Sequence, residues 1–346
     1  MNPPEPGRPA PTLRAIARLA GVSTATVSRA LRGHGALAPA TARRVRRAAR
    51  ELGYIRSPLV GEVMRRIRRG GSFRQLAPVA YLTFDTSAGG WRRQPTFVRF
   101  FEGARARARQ QGLELEAFWM NAPGLTGRRA GAILEARGVE GVLVGPTTGW
   151  ARPPDLDWAR FCPVKVGTPF PDLRLPCAGH HHFRGMTTVL AELARRGYRR
   201  PGLVLRSYQE AKTGGAWSAP YFRHQRDLPA AARLAPLWLD ELSAERFSRW
   251  FQAQRPDVVV GQGNELPAWL EALGRRIPAD VGFVDLDRCA PDRAGIDQLS
   301  SVVGAAAVDL LLGRLLARER GLPDAAPVVL VEGRWADGPS LRDASG

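Results

Sequence analysis

One face of a short segment near the N-terminus carries side chains that suit the edges of base pairs. Arg29 can form two parallel hydrogen bonds with a guanine, a contact that discriminates against other bases by roughly 1–3 kcal/mol. Thr24 has a hydroxyl group that can donate or accept, whereas Ala25 can make only apolar contact with a thymine methyl group. These residue types could contact base edges if the segment lies in a groove of duplex DNA.

Hydroxyl and arginine side chains beside this face suit the DNA backbone. We expect Ser23, Thr26 and Ser28 to cap the segment or to contact phosphates, which positions a helix without reading sequence. Arg43 and Arg44 are expected to contact phosphates as well. The alternative for an isolated arginine pair is a solvated helix face.

Positive charge is concentrated at the N-terminal end of the chain. Residues 1–77 contain 16 arginines and three glutamates, so they carry +13 of the net charge of +19 of the 346-residue chain. A basic segment joined to a less basic remainder is the electrostatic pattern of a phosphate-binding unit. The charge therefore favours a nucleic acid as the partner of this end.

The elements that would position these side chains form a helix-turn-helix. The first helix is predicted at residues 13–20, the second extends from a cap at Ser23 to Arg32, and the third covers residues 39–52. Gly21 falls in the tight turn between the first two, where a positive φ favours glycine. Apolar residues repeat on the inward faces at Leu13, Ile16, Ala17, Ala20, Val27, Ala30, Leu31, Val45, Ala48, Ala49 and Leu52. The alternative is a three-helix packing unit without a DNA-binding role.

This segment resembles the headpiece of the LacI/GalR family of bacterial repressors. Residues 13–31 match the family string Leu-x-x-Ile-Ala-x-x-Ala-Gly-Val-Ser-x-x-Thr-Val-Ser-Arg-x-Leu, and the match continues to Glu51-Leu52-Gly53-Tyr54. The resemblance implies that the second helix enters the major groove. It also implies that Thr24, Ala25 and Arg29 occupy the base-reading positions.

The same resemblance implies a hinge helix after the headpiece that wedges an apolar side chain into the minor groove and kinks the duplex. The family's usual leucine falls on Val63 here, with Met64 beside it, so either residue is the candidate wedge. Gly61 weakens such a helix by roughly 1 kcal/mol relative to alanine. A weaker kink than usual, or a plain linker, is therefore the alternative.

The rest of the sequence alternates short apolar runs with amphipathic segments. Strands are predicted at residues 79–84, 113–119, 139–144, 164–166, 202–205, 257–260 and 328–331. Helices are predicted at residues 96–111, 127–137, 186–196, 244–254 and 302–316. This alternation indicates parallel sheets, with a ligand cleft at the carboxyl ends of their strands. The resemblance adds that the fold is α/β and periplasmic-binding-protein-like, with two subdomains.

The predicted organisation follows from these segments. It comprises a disordered tail at residues 1–11, a helix-turn-helix DNA-binding domain at 12–56, a hinge helix and linker at 57–75, and an effector-binding and dimerisation domain at 76–340.

The resemblance also suggests residues for the cleft. Asp287 matches an aspartate that commonly bonds the effector in the family, Asn264 falls where relatives usually have aspartate, and Lys212 falls near an effector-binding arginine. His181 lies near another position that is often aspartate. Aromatic residues that could stack on a sugar, or simply pack, are Trp91, Phe97, Trp150 and Trp217. With fewer acceptors than usual for sugar hydroxyls, a standard hexose is in doubt as the effector.

Other classes of protein find less support in the sequence. Consecutive histidines on a strand point to opposite faces, so His180, His181 and His182 are not expected to hold a metal. No nucleophile elbow or acid–base pair is recognisable, so we expect no enzyme activity and no cofactor. An extracytoplasmic solute receptor with this body would need a signal peptide, and residues 1–11 have no apolar core region.

Composition points to the cytoplasm. Three scattered cysteines, Cys162, Cys177 and Cys289, fit reduced thiols better than a disulfide framework. No stretch of about 18 apolar residues predicts a membrane span. We therefore expect a cytoplasmic, homodimeric regulator that represses from a pseudo-palindromic operator and responds to a small, carbohydrate-like effector. The alternative is a constitutive DNA-binding regulator whose cleft takes no ligand.

Overall fold

A computed structural model describes residues 13–32, 38–52, 77–149 and 151–343 of the chain. The chain divides into two compact units, Met1–Ser72 and Phe73–Gly346, which we call the head and the body. The candidate wedge residues Val63 and Met64, the hinge around them and Trp150 lie outside the described residues.

The head contains three helices, α1 (Leu13–Ala20), α2 (Thr24–Arg32) and α3 (Pro39–Glu51). Their bounds agree with the predicted ones to within a residue. The predicted inward faces meet in one core, whose buried members are Ile16, Ala17, Ala20, Val27, Ala30, Val45, Ala48 and Ala49. Gly21 has a φ of +60°, as the turn between α1 and α2 requires. The predicted helix-turn-helix is therefore confirmed.

The first lobe of the body is built on a parallel six-stranded sheet. Its strands are β1 (Ala77–Thr83), β2 (Leu113–Trp119), β3 (Gly141–Val144), β4 (Cys162–Val166), β5 (Cys177–His180) and β11 (Val328–Val331). They lie in the order β11-β5-β4-β3-β1-β2, and every pairing is parallel. Apolar clusters cover both faces, as parallel sheets require.

The second lobe repeats this plan. Its strands are β6 (Pro201–Arg206), β7 (Leu237–Leu239), β8 (Val258–Gly261), β9 (Gly282–Asp285), β10 (Ala294–Asp297) and β12 (Arg334–Ala336). They lie in the order β12-β10-β9-β8-β6-β7, and only β12 runs antiparallel to its neighbour among the described strands. Two apolar clusters again cover the sheet. The predicted α/β body with two subdomains is confirmed.

Helices connect the strands of both lobes. They are α4 (Pro95–Gln110), α5 (Gly127–Ala136), α6 (His182–Arg195), α7 (Ser207–Thr213), α8 (Ser218–Asp227), α9 (Ala244–Gln254), α10 (Glu265–Ala272) and α11 (Ser300–Ala317). Short 3-10 helices lie at Gly90–Arg93, Trp158–Arg160 and Ala230–Ala232. Helices α7, α8 and α10 have no counterpart in the sequence prediction.

The chain passes between the lobes after β5, after β10 and again between β11 and β12. The two sheets share one strand order, and residues that follow the carboxyl ends of strands in both sheets line one cavity. This is the arrangement in which open α/β sheets bind ligands.

Helix α11 is long and apolar enough, by length and composition, to cross a membrane, and it is the one such helix among the described residues. In this fold, however, the helix packs on α4 and on β4 and β5 in the first lobe. Two glycines allow the close approach of these helices. A Cβ atom on Gly304 would lie 2.0 Å from the carbonyl oxygen of Phe100, and one on Gly103 would lie 2.0 Å from that of Ser301. Helix α11 therefore packs one face against the core of the first lobe.

Candidate functional site

In the head, α2 presents the predicted base-reading residues to solvent. Thr24, Ala25 and Arg29 are exposed, whereas Val27 and Ala30 on the opposite face are buried. The backbone N–H of Thr26 donates to Ser23 Oγ at 3.1 Å, so Ser23 caps the helix. The exposed face is therefore held by a capped helix that is fixed to the core.

Hydroxyl groups at the start of α2 are engaged with one another. The Oγ of Ser23 and the Oγ1 of Thr26 are 2.9 Å apart, within hydrogen-bonding distance. Ser28 is half-buried beside Arg29. These residues are consistent with both the capping and the phosphate-contact roles that the sequence left open.

Helix α3 adds an arginine-rich surface to the head. Arg43, Arg44, Arg46 and Arg47 are exposed around the buried Val45. Arg47 pairs with Glu51, with 3.6 Å between Nε and Oε1. Arg43 and Arg44 form no ion pair with another described residue, so their charge is available to an external anion.

In the body, a cavity of about 200 Å³ lies between the two lobes. Its walls come from the segments that follow strand ends and from the start of α4. The lining residues are Gln94, Thr96, Phe97, Phe100, Pro146, Thr147, Thr148, Gly167, Thr168, Pro169, His180, His182, Tyr208, Gln209, Lys212, Thr213, Trp217, Gln262, Asp287 and Gln298. The cavity thus occupies the carboxyl edge of both sheets, where the sequence predicted a cleft.

Asp287 and Thr96 form one bridge across this cleft. The Oγ1 of Thr96, at the start of α4, donates to Oδ2 of Asp287, which follows β9, at 2.5 Å. The other carboxylate oxygen, Oδ1, is buried and has no hydrogen-bond partner among the described residues. Burial raises the pKa of the Asp287 carboxyl, and the Thr96 hydrogen bond and the charge of Arg99 offset part of that rise.

Lys212 and Thr147 form a second bridge. From α7 in the second lobe, Lys212 Nζ donates to the carbonyl oxygen of Thr147 at 3.0 Å and to its Oγ1 at 2.7 Å. Thr147 belongs to the segment after β3 in the first lobe. Burial lowers the pKa of Lys212 to about 8. The ammonium group lies 5.4 Å from the ring centroid of Tyr208, which also lines the cavity.

The three consecutive histidines lie at a strand-to-helix junction, which corrects the expectation that they share a strand. His180 ends β5, His181 caps α6 by accepting from the backbone N–H of Arg184 at 3.3 Å, and His182 begins that helix. His180 and His182 consequently both line the cavity, with ring centroids 5.4 Å apart. No group of three metal-binding side chains occurs among the described residues.

Burial keeps these two histidines neutral. It lowers the pKa of His180 to about 4, and it lowers the pKa of His182 well below its usual value with help from the two neighbouring histidines. His180 stacks on Phe100 at 5.1 Å and lies 3.2 Å from Ser300 Oγ. His182 packs on Trp217 at 4.5 Å. They form a neutral, partly aromatic wall of the cavity.

The structure brings together four of the predicted effector residues, because Phe97, Lys212, Trp217 and Asp287 all line the cavity. Trp91 lies elsewhere: it is 4% exposed and packs with Tyr81 and Phe101 in the core of the first lobe.

Asn264 also lies outside the lining. Its Oδ1 accepts from Arg293 Nη1 at 2.8 Å. We therefore leave Trp91 and Asn264 out of the candidate site.

Several polar lining residues were not anticipated from the sequence. They are Gln94, Thr96, Thr147, Thr148, Thr168, Tyr208, Gln209, Thr213, Gln262 and Gln298. A usable signal was present for some of them, because Thr147, Thr168 and Gln262 each follow a strand within three residues. Polar residues just beyond the carboxyl ends of parallel strands are the natural lining of such a cleft.

Comparisons with known proteins found a family model that matches the head and relatives that match part or most of the chain. Residues 12–57 match the family model described as "Bacterial regulatory proteins, lacI family". The HTH-type transcriptional regulator GntR of Pseudomonas aeruginosa is 39% identical over 105 residues, which are 30% of this chain and 26% of that relative. The HTH-type transcriptional regulator PtxS of Pseudomonas putida is 28% identical over 325 residues, covering 88% of this chain and 89% of the relative.

Solved structures share the fold along most of the chain. A transcriptional regulator CelR–cellobiose complex has a TM-score of 0.58 at 20% identity and covers 95% of this chain and 99% of its own. The lac repressor dimer bound to operator and the anti-inducer ONPF has a TM-score of 0.54 at 17% identity, with 96% and 99% covered. The head of this chain thus matches the helix-turn-helix of the lacI family, and its body has the fold of these transcriptional regulators.

Proposed function

We propose that the protein represses transcription by binding a pseudo-palindromic operator as a homodimer, and that a small carbohydrate-like effector in the cleft modulates its affinity. We place this activity in the cytoplasm. One observation carries the proposal: the same chain has an exposed recognition helix and a polar cleft between two lobes. The cleft contains a buried carboxylate oxygen, Oδ1 of Asp287, that has no hydrogen-bond partner among the described residues.

The proposed contacts with DNA follow from the exposed face of α2. With this helix in the major groove, Arg29 reads a guanine, while Thr24 and Ala25 contact neighbouring base edges. The arginines of α3 and the hydroxyls near Ser23 contact phosphates and set the orientation. In the hinge, Val63 or Met64 is the proposed minor-groove wedge.

An exposed apolar edge supports the proposed dimer. Val328 and Leu330 on the edge strand β11 are 60% and 49% exposed, and Val302 on α11 is exposed as well. An apolar edge strand left open to water invites pairing with another chain. Two heads joined through a two-fold axis would meet two half-sites whose spacing the dimer fixes.

The bridges across the cleft support modulation by an effector. Thr96 with Asp287 and Lys212 with Thr147 join the lobes through the same side chains that line the cavity. A ligand that bonds these groups must change how the lobes are held, and the hinge would transmit that change. Such coupling is reciprocal, so operator DNA must change effector affinity by the same factor.

A constitutive regulator is the second candidate. It is favoured by the observation that Lys212 and Asp287 already have hydrogen-bond partners in the opposite lobe. The unpartnered Oδ1 of Asp287 favours the effector-responsive form instead, because a buried carboxylate oxygen without a donor is unfavourable.

Operator selection from a random duplex pool with the full-length protein separates these candidates. We expect a palindromic site whose enrichment changes when a mixture of sugars and sugar acids is present. A palindrome that is indifferent to the mixture would support the constitutive form. Selection of no sequence would contradict the proposed operator binding.

A further inference from the structure

Lys212 is the one lysine or arginine among the described residues that line the cavity. It is half-buried on α7 and stands beside neutral groups: Thr147 accepts two of its hydrogen bonds, and the ring of Tyr208 lies nearby. An ammonium group has three N–H donors, so one remains after the two bonds to Thr147. The cavity therefore contains a cation with spare donor capacity.

No described carboxylate forms an ion pair with Lys212. Among the described residues of the body, the basic partner of each ion pair is an arginine. Burial lowers the pKa of Lys212, and no nearby anion offsets that effect. A partly buried charge without a counter-ion is unfavourable, because neither water nor a partner fully compensates it. An anion entering the cavity would remove this cost.

The chain's other lysine shows the contrast. Lys165 on β4 is buried, and its Nζ donates to the backbone carbonyl oxygens of Phe170 and Leu173 at 3.5 and 2.8 Å. It does not line the cavity. Lys165 thus has a role within the fold, whereas Lys212 directs its charge to a site that a ligand can enter.

The remaining polar groups of the cavity suit hydroxyls. Oδ1 of Asp287 is a buried acceptor without a donor, and His182 Nδ1 is likewise unpartnered. Amide and hydroxyl side chains, each able to donate and accept, complete the wall at Gln94, Thr148, Thr168, Gln209 and Gln262. A volume of about 200 Å³ is small for a ligand site and favours a single sugar unit over a disaccharide.

We propose that the effector is a monosaccharide-sized sugar acid whose carboxylate pairs with Lys212 while one of its hydroxyls donates to Asp287. This inference rests on the proposed function and specifies its ligand class. The pairing supplies the counter-ion that Lys212 lacks and the donor that Asp287 lacks.

Matched ligands test this inference on the full-length protein by isothermal titration calorimetry. D-gluconate and D-glucitol share one six-carbon hydroxylated chain and differ by a carboxylate, and D-glucuronate and D-glucose provide the same comparison in ring form. We expect at least one acid to bind with an affinity at least tenfold higher than that of its neutral partner. Equal or tighter binding of the neutral partners would overturn the inference, and so would the absence of binding by all four compounds.

Variants at position 212 provide a second measurement. Lys212→Gln should abolish the preference for the acid, whereas Lys212→Arg, which keeps the positive charge, should retain it. Thermal unfolding of each variant checks that the body still folds, and the comparison of acid with neutral partner in the unmodified protein does not depend on any variant. An acid preference that persists in folded Lys212→Gln would contradict the pairing.

Operator selection separates the failure of this inference from that of the proposed function. If D-glucose or D-glucitol changes operator enrichment and the acids do not, the effector-gated regulator stands and the sugar-acid assignment fails. If no operator is selected, the proposed function itself fails.

Discussion

His180 is held neutral in the wall of the cleft, and its protonation opposes folding. Its pKa is about 4 in the folded protein and near 6.5 when unfolded, so between these values the unfolded state binds more protons. Stability from this group is present above pH 6.5 and is lost as the pH falls toward 4, by on the order of 3 kcal/mol. Asp285, whose pKa burial raises to about 6, acts in the opposite direction in part of this range.

The variant His180→Gln isolates the histidine from these other groups. We expect its unfolding free energy to fall less than that of the unmodified protein between pH 6.5 and 4, as measured by urea denaturation at a series of pH values. At pH 8 the side chain is neutral in both proteins, so the difference there reports the change in packing and in the hydrogen bond with Ser300. Parallel pH profiles would show that His180 is not the neutral buried group described.

Single residues also show where the sequence was and was not sufficient. Asp287 could be proposed because it matches an effector-binding position of the family that the sequence resembles, and Lys212 because it falls near another. Trp91 could not be placed, because a large aromatic side chain suits a cavity mouth and a core equally well. In the structure it packs against Tyr81 and Phe101 in the core of the first lobe.

At the scale of elements, long periodic segments were predictable and short ones were not. Helices α1 and α9 have an apolar face over two or more turns, and their predicted bounds match the structure. Helix α7 has seven residues, begins directly after β6 and has no side-chain cap, so neither periodicity nor a start signal identifies it. This helix carries Lys212, for which the sequence offered only nearness to a family effector position and no structural element.

The cap of α2 is a testable element. Ser23→Ala removes the acceptor for the N–H of Thr26 and should destabilise the head by about 0.5–2 kcal/mol. Ser23→Asp keeps an acceptor and should restore stability, but its negative charge should weaken DNA binding. Calorimetry and a DNA-binding titration measure the two effects. If Ser23→Asp restored both stability and DNA binding, Ser23 would have no position close to phosphate.

The contact between helices α4 and α11 is a second testable element. Gly304→Ala places a methyl group 2.0 Å from the carbonyl oxygen of Phe100 and should destabilise the body by roughly 1–3 kcal/mol, as overpacking does. Gly313→Ala on the same helix meets nothing within 4 Å and should be neutral or stabilising, because alanine favours helix. Equal thermal unfolding temperatures for the two variants would contradict the close packing.

At the scale of the whole molecule, the account requires a dimer. Val328→Glu puts a charge on the exposed edge strand β11 and should yield monomers with much weaker operator binding. Leu242→Glu, at another exposed apolar position outside β11, is the matched control and should remain dimeric. Sedimentation analysis distinguishes the two. A dimeric Val328→Glu protein would place the interface elsewhere.

The measurement that tests the central claim most directly is operator selection with the unmodified protein, Arg29→Ala and Arg43→Ala. The account predicts that Arg29→Ala loses base preference at one position in each half-site. Arg43→Ala should keep the same sequence, bind every site more weakly and show a smaller dependence on salt. If the two variants behaved alike, α2 would not be the helix that reads the major groove.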